Sequence, residues 1–428
     1  MPAAPSLLIV PYRSKTGKLY SQIPTSGAGD FTVTRNTEAR RFTSAGLIAS
    51  VASGIPRLDY YTSGGTAGCP ALLVEPAATN LCLQSTDTTT SWSLGANLTS
   101  GAIDVIGVSG INLTVAVSGS SIGDTPGANR MATINATLTS GSTYTISFLM
   151  KKTGAHTIGG FFANTSGATA TAFGSGFDVS GSFSSGSLIA TSPITNRIRR
   201  VERFGSDVFR CSETFTMTAT NVLTVLRLGP TVSVTSLNNS AVGTTMGFAA
   251  PQLELGSVPT SFIPTTAGTG SRSADVVSVS GAVSGSIGQT EGTIYMEVDV
   301  RNLARETYLV RIDEGAAANV LSLRKLDTNQ IRTTITAPTT SGTLNISSAA
   351  FTAGIVKVAF AYKSGEIALS VNGATALTAN GTFSFGASLN RITLGSNAIA
   401  SSEFNDRIRA VALYTTRLTN AELAALTA

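Results

Sequence analysis

The chain has 428 residues, of which 12% are charged and 42% hydrophobic, and its formal net charge is +5. This combination excludes an intrinsically disordered chain, which needs low hydrophobicity and high net charge. The length predicts about two to four domains. The 43 glycines, with many short polar side chains, predict a β-rich protein of short strands and tight turns.

Three cysteines, Cys69, Cys82 and Cys211, are too few for a complete disulfide set, and no two of them form a C-x-x-C pair. This spacing excludes a disulfide scaffold and a zinc site. We expect buried free thiols, as in proteins assembled in a reducing cytoplasm. Residues 1–10 lack the features of a signal peptide, and no apolar run reaches membrane-spanning length, so we expect neither export nor membrane insertion.

In chain order, residues 1–80 form a first predicted unit that is poor in long apolar segments. Residues 7–10 read as a short buried strand that Pro11 ends, and residues 31–35 alternate as a strand does. We expect this unit to be an extended segment that lies along neighbouring chains.

The most distinctive sequence segment follows at residues 55–81, I-P-R-L-D-Y-Y-T-S-G-G-T-A-G-C-P-A-L-L-V-E-P-A-A-T-N-L. A short polar strand, a Gly-rich turn and an apolar return that stops at Glu75-Pro76 are predicted here. The segment resembles the N-terminal signature of a family of tailed-phage virion proteins, in which it precedes β-sandwich domains. The resemblance implies a place in the virion, with residues 1–80 attached to capsid, collar or tail proteins.

Residues 81–270 carry several short strands with turns between them, which predicts an antiparallel sandwich or jelly roll. Tyr144, Ile146, Phe148 and Met150 share one predicted strand face. The order of three segments resembles jelly-roll carbohydrate-binding modules: W-S at residues 92–93, then Y-T-I-S-F-L-M-K-K, then A-P-Q-L-E-L-G-S-V-P-T-S-F-I-P-T.

Residues 276–428 predict a second sandwich, with alternating strands at 292–300 and 406–414 and hairpin turns at Gly365 and Asn372-Gly373. Thr419, with a glutamate three residues later, predicts a capping box and a short C-terminal helix. The order, with a V-N-G strand and a closing R-I-R-A-V-A-L-Y, resembles concanavalin A-like (laminin-G-like) sandwiches.

The sequence offers little for catalysis. The single histidine, His156, is predicted in a solvent-exposed loop, and no zinc-binding histidine pair exists. Glu297 and Asp299 are half of the E-x-D-x-x-E pattern of sandwich glycosidases, but Asn302 stands where the last glutamate should be. A solvent-facing strand explains both carboxylates equally well. We therefore expect no catalytic residues, no enzyme activity and no cofactor.

Ligand sites are equally sparse. The only tryptophan, Trp92, is a weak candidate for stacking on a sugar, although a structural anchor explains it better; Tyr60, Tyr61 and Tyr308 have no further support. Both sandwich types can bind calcium, but no D-x-D-x-D loop appears, so no metal site is named. Glycines at 64–65, 159–160 and 174–176 lack the frame of a phosphate loop and predict turns.

The basic run at residues 197–203 predicts a strand with a basic outward face, because few aromatic residues lie beside it for base stacking. We expect no nucleic-acid partner.

The sequence thus predicts an all-β protein, with two antiparallel β-sandwich or jelly-roll domains after an extended N-terminal attachment segment. We expect a homotrimeric structural component of a tailed-phage virion, a head or tail fibre or a surface decoration, assembled in the host cytoplasm. Its sandwiches would adhere weakly to host glycans. A receptor-binding adhesin with a specific sugar is the first alternative, and a polysaccharide-degrading tailspike the second.

Overall fold

The computed structural model describes residues 4–60, 68–88, 92–94, 98–99, 110–115, 130–167, 172–188, 193–203, 207–236, 244–303, 305–397 and 402–428. Within them, the strands before the first sandwich are β1 (Leu7–Ile9), β2 (Ser14–Lys15), β3 (Lys18–Leu19), β4 (Phe31–Thr34), β5 (Ala39–Phe42), β6 (Ile48–Val51), β7 (Leu58–Asp59), β8 (Ala71–Val74) and β9 (Ala78–Asn80).

The strands of the first sandwich follow as β10 (Ser93–Leu94), β11 (Leu98–Thr99), β12 (Gly110–Val115), β13 (Arg130–Leu138), β14 (Thr143–Lys152), β15 (Ile158–Gly167), β16 (Ala172–Asp178), β17 (Ser185–Ser187), β18 (Ile194–Arg203), β19 (Val208–Met217), β20 (Asn221–Pro230) and β21 (Thr244–Leu255).

The last part of the chain holds β22 (Gly270–Arg272), β23 (Val276–Ser280), a 3-10 helix (Ala282–Ser286), β24 (Glu291–Val300), β25 (Thr307–Asp313), β26 (Val320–Lys325), β27 (Ile331–Thr336), β28 (Thr339–Ser341), β29 (Gly354–Lys363), β30 (Ile367–Val371), β31 (Leu377–Ala379), β32 (Thr382–Ser384), β33 (Arg391–Leu394), β34 (Asp406–Tyr414) and helix α1 (Asn420–Thr427). The prediction of an all-β fold is confirmed.

The first sandwich consists of two six-stranded antiparallel sheets, in the orders β10-β13-β20-β15-β16-β17 and β11-β12-β21-β14-β19-β18. On β14, the predicted inward face of Tyr144, Ile146, Phe148 and Met150 is buried. Phe148 contacts other rings edge-on, with centroids 5.8 to 6.2 Å apart, an arrangement that aromatic pairs prefer. The outer face of β14 is covered too, because Leu149 packs against Ile48 of the N-terminal segment.

Two of the predicted glycine turns are wrong. Residues 159–160 and 174–176 lie in the paired strands β15 and β16, where Gly160 stands opposite Gly176. A Cβ atom on Gly160 would lie 2.1 Å from the Ser175 carbonyl oxygen, and one on Gly176 would lie 2.6 Å from the Val234 backbone. Close packing of backbone on backbone therefore explains these glycines. The third pair, at 64–65, lies outside the described residues.

The second sandwich pairs two eight-stranded antiparallel sheets. One has the order β31-β30-β29-β24-β34-β8-β7, with β1 also beside β34, and the other β2-β3-β4-β23-β33-β25-β26-β27. Ile294, Met296, Val298 and Val300 of β24 alternate inward and are fully buried. The predicted strands 292–300 and 406–414 are confirmed to within one residue at each end.

The N-terminal strands are built into the second sandwich, although the sequence predicted a separate unit. β1 and β8 pair with β34 in one sheet of the second sandwich, and β4 pairs with β23 in the other. Residues of these strands are buried in the core of that sandwich, among them Leu7, Ile9, Phe31, Val33, Leu72 and Val74. The segment has few apolar residues because it supplies only part of a shared core, so residues 1–80 are not a separate unit.

The predicted local signals at the C-terminus are confirmed. Asn372 and Gly373 have φ values of 50° and 74° between β30 and β31, as a tight hairpin requires. Thr419 and Glu422 form a complete capping box at the start of α1. The helix covers the outer face of one sheet, where Leu423 packs among small residues such as Ala361.

Of the three free cysteines, Cys82 and Cys211 are buried as expected, whereas Cys69 is exposed. Burial raises the pKa of the Cys82 and Cys211 thiols, so both stay protonated near neutral pH. In the described part of the chain, no helix has both the length and the apolar character needed to cross a membrane.

Candidate functional site

The residues of the P-R-L-D-Y and V-E-P segments meet in the interior of the protein. Arg57 lies just before β7, Glu75 follows β8, and Asp275 precedes β23. Arg57 Nη1 donates to Glu75 Oε2 at 2.5 Å, and Arg57 Nη2 donates to Asp275 Oδ2. All three side chains are buried. One guanidinium therefore joins the N-terminal segment to the start of the second sandwich.

Two further arginines complete this cluster, which we call the buried ion network: Arg35, Arg57, Glu75, Arg272 and Asp275. Arg35 Nη1 lies 2.9 Å from Asp275 Oδ1, and Arg272 Nη1 lies 3.1 Å from Glu75 Oε2. The Glu75 oxygens also accept hydrogen bonds of 2.7 Å from the backbone and side chain of Ser261. Ser261 belongs to the segment between the sandwiches, so the network also fastens that linker.

The charges of the network hold it ionised. Burial by itself would raise the pKa of Glu75, but the neighbouring Arg272 and Arg57 lower it well below its usual range. Burial alone would lower the pKa of Arg57, yet Asp275 and Glu75 raise it. Buried charges persist only when they are paired and hydrogen-bonded in this way.

Asn80, the last residue of the A-T-N segment, anchors the two ends of the first sandwich. Its Oδ1 accepts from Cys82 N at 2.9 Å and from Leu253 N at 3.0 Å, and its Nδ2 donates to Ile263 O at 2.9 Å. The side chain is fully buried. It thus links the chain entering this sandwich to the chain leaving it.

Asp59 is the remaining charged residue of the motif. Its Oδ1 accepts from Phe42 N and its Oδ2 accepts from Arg407 Nε, both at 2.6 Å. Because Phe42 is the last residue of β5 and Arg407 belongs to β34, this carboxylate attaches the β5–β6 hairpin to the second sandwich. Each charged residue of the motif thus has a defined structural partner.

A narrow cavity of about 60 Å³ lies beside the network, where residues of both sandwiches meet. Its lining includes Arg200, Arg210 and Asp406. Asp406 Oδ2 accepts from the backbone N–H groups of Arg301 and Asn302 at 3.0 and 2.9 Å. Burial raises the pKa of Asp406 to about 7, against the opposing effect of these bonds. A water needs about 10–15 Å³ of such space, so the cavity is large enough for a few waters.

Trp92 is only 2% exposed and belongs to the core of the first sandwich. A sugar stacks on an accessible ring, so the structure places Trp92 where the anchoring alternative expected it. Tyr308 instead lies beside Arg324, whose guanidinium carbon is 5.6 Å from the ring centroid. Tyr60 has Arg41 above its ring at 5.9 Å, while Tyr61 lies outside the described residues.

The sequence candidates for catalysis are occupied by structural contacts. His156 is half-buried rather than fully exposed, and its Nε2 lies 2.6 Å from Ile158 O and 3.1 Å from Thr231 O. Glu297 is bound by Arg409 Nε at 2.6 Å. Asp299 is buried, in contrast to the expected solvent-facing strand, although it lies on the face of β24 that points away from the core. Arg301 Nε approaches its carboxylate at 2.8 Å.

The basic run at 197–203 forms strand β18 as predicted, but its basic face is only partly outward. Arg197 Nε and Arg199 Nε both reach the buried carboxylate of Glu213 on β19. The two guanidinium groups also bind Ser175 of the opposite sheet. These arginines therefore close the edge between the two sheets of the first sandwich. Among the described residues, no group of three or more histidine, cysteine, aspartate or glutamate side chains could hold a metal ion.

Residues 271–424 match the family model of the concanavalin A-like lectin/glucanases superfamily. The C-terminal region is therefore similar to concanavalin A-like domains. The match begins after the N-terminal strands, so the chain adds β1–β4, β7 and β8 to this domain. No curated protein matches the chain significantly.

Solved structures resemble the chain only distantly. The sialidase of Trypanosoma rangeli is 12% identical, with 93% of this chain and 77% of that one covered and a TM-score of 0.30. The CBM40 of the Ruminococcus gnavus IT-sialidase is 16% identical over 33% of this chain and 84% of its own, with a TM-score of 0.28. Domains LG4-5 of the mouse laminin alpha1 chain are 12% identical over 75% and 92%, with a TM-score of 0.23. No functional conclusion rests on these scores.

Sequence reasoning missed Arg35, Arg272 and Asp275, which complete the network. One signal was available: in a chain with 12% charged residues, R-S-A-D at 272–275 is a rare charged pair inside a turn-rich linker. A charge beside apolar strands in such a chain indicates a buried pair, since unpaired charges are rarely buried.

Proposed function

We propose that this chain is a structural component of a tailed-phage virion that displays two β-sandwiches in a fixed relative orientation. The observation that carries the proposal is the buried ion network. The segment that resembles the phage signature supplies Arg57 and Glu75, and the ion pairs of both residues hold the sandwiches to the linker. A resemblance carried by residues that build the fold supports a shared architecture, and with it a shared place on the particle.

In this proposal the protein is assembled in the host cytoplasm and incorporated into the virion as a homotrimer, which we test by light scattering of the purified chain. The N-terminal strands belong to the second sandwich, so attachment to capsid, collar or tail proteins would use the outer surface of that sandwich. Adhesion to host glycans is the second part of the proposal, and the description of the matched family as lectins and glucanases supports it. Many copies on one particle would raise the avidity of a weak site.

Gold-labelled antibody against the chain, applied to purified particles of the phage that encodes it, tests the virion proposal. We expect label at regular positions on the particle, and particles from a deletion strain should carry none. Absence of the chain from purified particles, by labelling and by mass spectrometry, would contradict the proposal.

A specific receptor-binding adhesin is the second candidate, favoured by the concanavalin A-like domain at residues 271–424. A glycan array separates the two: binding of one sugar class supports the adhesin, and a blank array supports a purely structural role. The tailspike alternative predicts oligosaccharide release from host capsule. Glu297 and Asp299 are both bound to arginines, which is why we do not favour it.

A further inference from the structure

The N-terminal segment forms a groove on the rim of the second sandwich that no sequence motif indicated. Residues of the β1–β2 connection and of the loop before β4 enclose a cavity of about 370 Å³, lined among others by Tyr12, Arg13, Tyr20 and Asp30. A second cavity of about 380 Å³ continues from it and shares Gly27 and Asp30. Each falls in the range of about 300–1,000 Å³ that small-molecule sites occupy.

The walls of this groove, which we call the rim groove, are held in place. The Gln22 side chain accepts from Val10 N at 2.6 Å and donates to Val10 O at 3.1 Å, as a strand partner would. Asp30 Oδ1 accepts from Ser21 N at 2.9 Å and from Ser21 Oγ at 3.1 Å. A site whose groups are already positioned loses less entropy on binding.

The groove offers an open aromatic ring and positive charge. Tyr12 is 53% exposed, unusually so for a large ring. Arg13 and Lys15 both lie over the neighbouring Tyr20, at 5.9 and 5.6 Å from its centroid. Among the described residues, neither Arg13 nor Lys15 forms an ion pair, and no donor reaches Asp30 Oδ2. The groove therefore presents the unpaired guanidinium of Arg13, a free acceptor and a ring surface together.

This combination points to one ligand chemistry. The hydroxyl groups of a sugar need both hydrogen-bond donors and acceptors. The face of a pyranose ring packs on a flat aromatic ring. A guanidinium binds a carboxylate through two parallel hydrogen bonds. The lining is too polar for a purely apolar ligand. We propose that the rim groove binds a carboxylate-bearing oligosaccharide, with Tyr12 under a sugar ring, Arg13 on the carboxylate and Asp30 Oδ2 on a hydroxyl group.

The proposal rests on the glycan-adhesion part of the proposed function, but it names a site built from residues 12–30, outside the matched region 271–424. Affinity electrophoresis of the full chain at about 0.15 M salt, where exposed charges are largely screened beyond ~8 Å, tests it with three polymers. Polygalacturonate carries sugar and carboxylate, dextran carries sugar alone, and polyglutamate carries carboxylate alone. We expect retardation by polygalacturonate, and little by the other two.

The variants Tyr12→Ala and Arg13→Gln should each weaken polygalacturonate binding at least tenfold. Tyr308→Ala is the matched control, because it removes another tyrosine that lies beside an arginine on the same sandwich, and it should bind as the unaltered chain does. Circular dichroism confirms that each variant is folded.

Equal retardation by polyglutamate, or unchanged polygalacturonate binding by Tyr12→Ala, would overturn the proposal. If both groove variants still bind glycan, the rim groove is not the binding site, but the proposal of glycan adhesion is unaffected. Absence of the chain from virions would contradict the virion proposal and would leave the rim-groove proposal unaffected. The two proposals can therefore fail independently.

Discussion

Arg57 donates a hydrogen bond to Asp275 across 218 positions of sequence, and the pair is buried. The two residues lie on either side of the first sandwich in the chain, so this one contact closes a loop that contains the whole of that sandwich. It makes the N-terminal segment, the linker and the second sandwich parts of one structure.

Replacing Arg57 tests the network directly. In Arg57→Met the carboxylates of Glu75 and Asp275 stay buried after losing a partner, and we expect a loss of about 3–5 kcal/mol in the free energy of unfolding. Arg57→Lys keeps the positive charge but not the planar guanidinium that donates to two carboxylates, so the loss in the free energy of unfolding should also be large. Arg324→Met breaks an exposed pair with Glu306 and should cost less than about 1 kcal/mol. Urea denaturation measures all three, and equal losses for Arg57→Met and Arg324→Met would contradict the role of the network.

Asn80→Ala removes an amide with three strong backbone hydrogen bonds and leaves buried groups unsatisfied. We expect a loss of about 1–3 kcal/mol for each buried group left without a partner. Thr79→Ala is the neighbouring control, since its hydroxyl contact with Ser271 is exposed. A thermal melt in which the two variants behave alike would show that Asn80 does not anchor the first sandwich.

Leu7→Ala tests whether the N-terminal strand belongs to the second sandwich. Leu7 is fully buried opposite Leu413, so its truncation should cost about 2–5 kcal/mol. Val10→Ala shortens an exposed side chain of the same segment and should change stability by less than about 0.5 kcal/mol. If Leu7→Ala were equally silent in guanidinium denaturation, the segment would not be part of the core.

Asp406 predicts an unusual pH dependence. Its pKa is about 7 in the folded chain, because of burial, and near 3.8 without it. A carboxyl group with a raised pKa contributes stability that is complete below about pH 4 and lost as pH rises through about 7. This group alone should lower the free energy of unfolding by up to about 1.4 kcal/mol per pH unit within that window.

Asp406→Asn should remove that slope, so the stability of the variant relative to the unaltered chain should increase between pH 5 and pH 8. Asp178→Asn is the control. Burial would raise the pKa of Asp178, but hydrogen bonds from Ser180 lower it, so its effect belongs to lower pH. Urea denaturation at several pH values gives both differences, and a constant difference for Asp406→Asn would refute the assignment.

Trp92 is the single tryptophan, so its fluorescence reports the first sandwich alone. Its emission should be blue-shifted in the folded chain and move to longer wavelength on unfolding, because the ring is buried in the core. Trp92→Ala should cost about 3–5 kcal/mol. Trp92→Phe keeps an aromatic side chain and should lose less. Strong quenching of the native emission by acrylamide would show an accessible ring and reopen the stacking role.

Local sequence was sufficient for several strands of both sandwiches, but not for β15 and β16, whose glycines predicted turns. The alternation of Ile294, Met296 and Val298 determines which face is inward, and Asn372-Gly373 determines a hairpin turn through positive φ angles. These features depend on neighbours within a few residues, which the sequence displays directly. For the same reason the capping box of Thr419 and Glu422 could be read correctly.

Only the tertiary structure decided where residues 1–80 lie and what their motif does. The sequence of a strand such as β1 is the same whether it pairs with β34 of its own chain or with another molecule. Sheet hydrogen bonds join backbone groups, so they do not depend on which strand is the partner. Arg57 and Asp275, likewise, reveal nothing of each other along the chain. A buried charge requires a partner, but only the folded backbone selects which one it finds.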